Sequence, residues 1–88
     1  MTNVDRDRLR RGIIRVLAAH RDADFRLPVL IDRLMENMPD LSFSETDVLE
    51  SLAFLEGLWY VKKLDSELLG PPRWKIHQGG INFHDRNG

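Results

Sequence analysis

Hydrophobic residues recur at steps of three and four along the first part of the chain, which places them on one face of a helix. The first such segment runs from about Asp5 to His20, and Asp5 or Asp7 suits its N-terminal turn because carboxylates are favoured there. Gly12 lies inside it, where we expect a glycine to let another backbone segment approach closely. The apolar face is predicted to contain Leu9, Ile13, Val16, Leu17 and His20.

Two further helices are predicted between Leu27 and Gly57. One begins near Leu27-Pro28, since proline suits the first helical position, and ends before Pro39-Asp40. The next begins at Ser44, an N-cap with Asp47 three residues on as a weaker form of the capping box, and ends at Gly57, which suits a left-handed C-cap. Their apolar stripes are expected at Leu30, Ile31, Leu34, Met35 and Met38 and at Val48, Leu52 and Leu55.

After the third helix the hydrophobic period changes to the two-residue alternation of a β-strand. One run places Trp59 and Val61 on one face and Tyr60 and Lys62 on the other. A second run places Trp74 and Ile76 on one face and Arg73, Lys75 and His77 on the other. Two alternating runs with a polar link that contains Gly70-Pro71-Pro72 predict an antiparallel hairpin.

Two segments resemble winged-helix proteins. Leu52-Ala53-Phe54-Leu55-Glu56-Gly57-Leu58 is similar to the end of their third helix, where a leucine pair precedes Gly-Leu and the first wing strand. Trp74-Lys75-Ile76-His77-Gln78-Gly79-Gly80 looks like the return strand and the Thr-x-x-Gly step of many bacterial members. Here His77 stands where threonine usually caps, so a final helix is left open, although Ile81 and Phe83 are placed to pack back on the core.

The resemblance covers roughly residues 5–83 and implies an α+β fold, a winged helix of three helices followed by a two-stranded β-hairpin wing. The 88-residue length fits one domain over residues 1–88, with an ordered core at about 5–83. A looser likeness in size and layout relates the chain to small Mu-like prophage proteins of unknown role.

Composition narrows the function classes. The chain has no cysteine, which excludes disulfides, thiolate metal ligands and cysteine nucleophiles and favours a reducing cytoplasm. No apolar run approaches the ~20 residues of a membrane span, and the first residues lack the apolar region of a signal peptide. The three histidines are scattered, and no catalytic or phosphate-loop motif is present. We therefore expect no enzyme active site, no metal and no cofactor.

Charge is distributed unevenly along the chain, although the net charge is only −1. Residues 1–33 carry +3, residues 34–58 carry −6 with no lysine or arginine, and residues 59–88 carry +2. In a helix-turn-helix the third helix of this chain would enter the major groove, and DNA affinity comes mainly from Lys and Arg at phosphates. Its expected outward residues include no base: Glu45, Thr46, Asp47, Glu50, Ser51 and Phe54.

Two functions remain open. The first is a small DNA-binding or transcription-regulatory protein that grips duplex backbone, with weak specificity, through Arg8, Arg11 and Arg15 of the first helix and Lys62, Lys63, Arg73 and Lys75 of the wing, if both groups face one side. The alternative for these bases is a solvated surface whose arginine stems cover apolar area.

The second function is a protein-interaction or dimerisation module, of phage origin on the looser likeness, that does not read DNA. Its candidate interface residues are Phe54, Tyr60, Leu68 and Leu69, which the pattern places on outward faces or at the wing tip. An acidic middle that faces a basic end of a second copy suits a symmetric homodimer. The opposing interpretation is that Phe54 is partly core and both leucines fold under the wing.

Overall fold

Helices and a small antiparallel sheet share one hydrophobic core in the computed structural model, which describes residues 1–65 and 70–87. Within those ranges the elements are α1 (Asn3–Ala19), β1 (Phe25–Arg26), α2 (Leu27–Asn37), α3 (Glu45–Gly57), β2 (Val61–Leu64), β3 (Arg73–Ile76) and α4 (Gln78–Asn87). The α+β class, three helices and the hairpin agree with the sequence prediction. The fold adds a final helix and a third strand, β1, which the sequence pattern did not reveal.

Helix α1 supplies the centre of the core. It packs against α2, α3, α4 and β3, and Leu9, Ile13 and Leu17 are completely buried. Burying each such side chain contributes roughly 1.5–3 kcal/mol. The helix begins two residues before the predicted start because the Thr2 hydroxyl caps it by accepting a hydrogen bond from the Asp5 backbone N–H. Asp5 lies in the first turn, as expected.

Gly12 admits a side chain instead of the backbone segment that we expected. A Cβ atom at this position would overlap the Met38 side chain, which is buried just after α2. The apolar stripe of α2 is narrower than predicted: Leu30 and Leu34 are buried, but Met35 is 58% exposed. Met35 lies at the edge of the stripe, where the core does not cover it.

Helix α3 begins as the sequence predicts and ends differently. The Ser44 hydroxyl accepts the Asp47 N–H, and the Asp47 carboxylate accepts the Ser44 N–H, which completes the capping box. At the other end Gly57 is helical, and Trp59 adopts the left-handed conformation with φ 62°. The N–H groups of Trp59 and Tyr60 donate to carbonyl oxygens in the last turn at 3.0 Å each, which is the Schellman pattern.

The three strands lie in the order β1-β3-β2, and both pairings are antiparallel. The pairing of β2 with β3 confirms the predicted hairpin. Its inner face carries Val61, Trp74 and Ile76, which are buried. The prediction that Trp59 shares this face was wrong, because Trp59 belongs to the left-handed turn before β2 and is 70% exposed.

Helix α4 forms although its cap is a histidine. The His77 Nδ1 atom accepts the Gln78 backbone N–H at 2.9 Å, and the His77 carbonyl accepts the Ile81 N–H at 3.0 Å. Gly79 and Gly80 allow the first turn to lie directly on the backbone of the Trp59–Tyr60 turn. As expected, Ile81 and Phe83 pack partly buried against the core: α4 docks on α1 and β2. Across residues 1–65 and 70–87, no helix is long and apolar enough to cross a membrane.

Gly80→Ala should lower the free energy of unfolding by about 1–3 kcal/mol, the usual cost of overpacking. The added methyl group would overlap the Tyr60 carbonyl oxygen and the Ile76 side chain. Gly57→Ala is the matched control, because nothing lies within 4 Å of its Cβ position and alanine favours a helix by roughly 0.5–1 kcal/mol. Urea denaturation of both variants measures the difference, and equal stabilities would contradict the close seating of α4.

Asp47→Asn should make the stability of the fold less sensitive to acid. The Ser44 backbone N–H and hydroxyl hold the pKa of the Asp47 carboxyl below its ordinary value of 3.8. The stabilisation that the Asp47 carboxylate contributes is therefore fully present above pH 3.8, the ordinary pKa. It is lost as the pH falls through the lowered pKa of the folded state. Thermal unfolding at neutral and acid pH should show a gap between wild type and variant that closes in acid; a gap that widens refutes this role.

Candidate nucleic-acid interface

The solvent face of α3 carries no base. Glu45, Thr46, Glu50 and Phe54 are exposed as predicted. Ser51 is buried, contrary to the prediction, and Asp47 is half-buried because its carboxylate caps the helix. The acidic side chains would repel phosphates, so α3 is poorly suited to supply affinity for a nucleic acid.

The sheet gathers bases on one face. Strand register places Lys62 directly opposite Lys75, and Arg26 directly opposite Arg73. Since Phe25, Trp74 and Ile76 are buried on the inner side, alternation places all four bases on the other side. We call Arg26, Lys62, Arg73 and Lys75 the outer sheet face. None of the described residues in β1, β2 or β3 is acidic.

Like charges directly opposite each other on a sheet destabilise the pairing. Arg73 has partial compensation, because its guanidinium lies 3.4 Å from the Asp24 carboxylate. Among the described residues, Arg26, Lys62 and Lys75 have no carboxylate within ion-pair distance. A polyanion placed over the outer sheet face would relieve the repulsion, so the arrangement is chemically suited to bind phosphates.

Three of the predicted wing bases, Lys62, Arg73 and Lys75, therefore share one face as the alternation indicates. Lys63 does not, because it pairs in register with Trp74 and its ammonium lies 3.9 Å from Asp65. Arg26 also lies on this face, although the sequence pattern does not predict it. A two-residue strand has no periodicity to detect, and only its pairing with β3 aligns Arg26 with the other bases.

The α1 arginines lie apart from the outer sheet face. Arg8 donates to Asp40 and Arg11 to Asp7, both at 2.8 Å, while Arg15 has no ion-pair partner among the described residues. The hydrogen bond from Arg8 lowers the pKa of the Asp40 carboxyl, so this pair is charged but mutually neutralised at neutral pH. Helix α1 packs within the core against β3, whose bases face solvent on the other side. The predicted combined patch is therefore two separate surfaces.

The predicted protein-interface residues are also dispersed. Phe54 is 45% exposed, and the guanidinium of Arg10 lies 3.7 Å above its ring. Tyr60 was expected on an outward face but is half-buried, and the centre of its ring lies 5.4 Å from that of Phe83. Leu68 and Leu69 lie outside the described residues.

Within residues 1–65 and 70–87, no three histidine or carboxylate side chains converge on a possible metal position. The histidines are used locally instead. His20 lies 5.8 Å from the Phe25 ring, and His77 caps α4.

Comparison with known proteins supports the fold alone. No family model and no curated protein matches the chain. Among solved structures, the chain is similar to a transcriptional regulator from Clostridium thermocellum, with a TM-score of 0.76 and 20% sequence identity. The alignment covers 98% of this chain and 82% of the regulator. The chain thus shares the fold of that structure.

Proposed function

We propose that this protein is a winged-helix DNA-binding regulator that holds the duplex backbone with its outer sheet face. The order helix-turn-helix followed by a hairpin supports the winged-helix assignment. The similarity in fold to a transcriptional regulator supports the regulatory role. The observation that carries the proposal is that bases lie directly opposite each other on neighbouring strands, Lys62 opposite Lys75 and Arg26 opposite Arg73.

The proposed binding depends on phosphates and reads little sequence. Each phosphate that a lysine or arginine neutralises releases counterions and adds about 0.9 to the dependence of log affinity on log salt. Glu50 on α3 could accept a hydrogen bond from cytosine, but only where a basic frame already supplies affinity. We infer weak sequence preference and no enzymatic activity.

Lys62→Glu should weaken binding to a mixed-sequence duplex and lower the salt dependence by at least one contact, about 0.9 or more in log–log slope, because the glutamate also pairs with Lys75. The fold should remain intact, because a glutamate opposite Lys75 replaces a repulsive pair by an attractive one. Fluorescence anisotropy across a salt series measures affinity and slope, and thermal unfolding confirms stability.

Arg15→Glu is the matched control for that experiment, since it reverses one charge on α1 and leaves the sheet unchanged. We expect it to affect affinity much less than Lys62→Glu. A larger effect of Arg15→Glu would place the DNA contact on α1 instead of the sheet. If the wild type shows no salt-dependent duplex binding, the proposed function is refuted.

A second candidate is a protein-interaction or dimerisation module. It is favoured by exposed apolar side chains and by an open groove of about 590 Å³ between α2, α3 and the segment before β3. The groove is lined by Leu27, Pro28, Ile31, Asp32, Glu45, Leu49, Pro71, Pro72 and Trp74. Phe54, on α3 but outside the lining of this groove, is the predicted interface residue that is exposed.

If the second function holds, sedimentation velocity should show a concentration-dependent dimer, and Phe54→Ser should shift it toward monomer. Val4→Ser is the control, because Val4 is also exposed, at 69%, but lies on α1. A wild type that stays monomeric at every concentration, or equal effects of both variants, would exclude Phe54 as a dimer contact.

A further inference from the structure

The end of α3 requires a left-handed residue at position 59, but nothing in the fold requires that residue to be an exposed tryptophan. Its φ of 62° belongs to the left-handed region that glycine and asparagine adopt with least strain, and a bulky residue there costs stability. Its side chain is 70% exposed, so burial does not compensate that cost. The Schellman hydrogen bonds of Trp59 and Tyr60 use only backbone groups and would form equally well with glycine.

The indole ring stands at the wall of a basic cleft. Its centroid is 5.7 Å from that of His77, with the two rings edge to face at 62°. The cleft has a volume of about 400 Å³ and is lined by Glu56, Trp59, Val61, Lys62, Lys63 and His77. Lys62 and Lys63 leave opposite faces of β2 but both line the cleft, and the Lys63 ammonium also lies 3.9 Å from Asp65. An exposed aromatic ring with cationic side chains beside it is the combination by which proteins stack a base and hold its phosphates.

We propose that this cleft binds an unpaired nucleobase, with the base stacked on Trp59 and the flanking phosphates held by Lys62 and Lys63. The proposal rests on the proposed function, because Lys62 belongs also to the outer sheet face. A strand that leaves a duplex held there reaches Trp59 directly along β2. The protein therefore prefers DNA with a single-stranded extension, or a frayed end, to a fully paired duplex.

The composition of the cleft favours a nucleotide over a protein partner. Among its lining residues only Trp59 and Val61 are apolar, and Val61 is buried, whereas a protein contact of this kind needs several apolar anchors together. The Glu56 carboxylate sits on the cleft as well and opposes phosphate binding on its own side. It can accept a hydrogen bond from the exocyclic amine of a cytosine or adenine.

Trp59→Gly separates ligand binding from folding. Glycine relieves the left-handed strain, so the variant should be at least as stable as the wild type in urea. It should bind a duplex with a single-stranded thymidine extension roughly tenfold more weakly, the size expected for loss of one stacked base. Its affinity for the same duplex with blunt ends should be unchanged, and Trp59→Phe, which retains a ring, should restore most of the preference.

Fluorescence gives a direct second readout. The chain has two tryptophans, and Trp74 is buried, so the free thymidine oligonucleotide should quench only the Trp59 emission. Equal binding of the extended duplex by wild type and Trp59→Gly would overturn the stacking proposal. The proposed function would still hold if Lys62→Glu weakens binding to the blunt duplex. Loss of wild-type binding to every DNA would refute both. A Trp59 emission that changes with protein concentration alone would assign the ring to a protein contact instead.

Discussion

The pairing of β3 with a strand on each side is the constraint on which both the core and the candidate interface depend. A strand must send alternate side chains to opposite faces. In β3 this rule sends Trp74 and Ile76 into the core against α1 and sends Arg73 and Lys75 to solvent. The inner residues hold the sheet on the helices, and the same backbone fixes the spacing of the bases. The energy of the core thus maintains a set of like charges that would otherwise separate.

Much of the fold is predictable because its local signals agree with its packing. The capping box at Ser44 and the hairpin alternation are short-range patterns, and the structure contains both. The strand β1 and helix α4 depend on distant residues instead. A helix that opens with Gly79 and Gly80 has poor intrinsic propensity, and it forms because these glycines fit against the Trp59–Tyr60 backbone. Gly57 misled the C-cap prediction because the position of the last helical hydrogen bonds, and not the nearest glycine, determines where the left-handed residue falls.

The candidate site was predictable in part for a similar reason. Alternation alone brings Lys62, Arg73 and Lys75 to one face, whereas Arg26 joins them only through tertiary pairing. For the α1 arginines, sequence gives their helical face but not their partners. Asp40 comes from the loop before α3 and neutralises Arg8, so a count of bases overstates the charge that α1 presents. The strand alternation does not predict the position of Trp59, because Trp59 lies in the left-handed turn before β2 begins at Val61.

The strand order β1-β3-β2 also determines when the outer sheet face forms during protein synthesis. A nascent chain that ends at residue 72 already contains Arg26 and Lys62, yet it lacks the central strand that aligns them. Until β3 emerges from the ribosome and inserts between its neighbours, these bases are independent charges on an incomplete fold. The outer sheet face is therefore a property of the finished tertiary structure, because a partly made chain does not hold these bases in register.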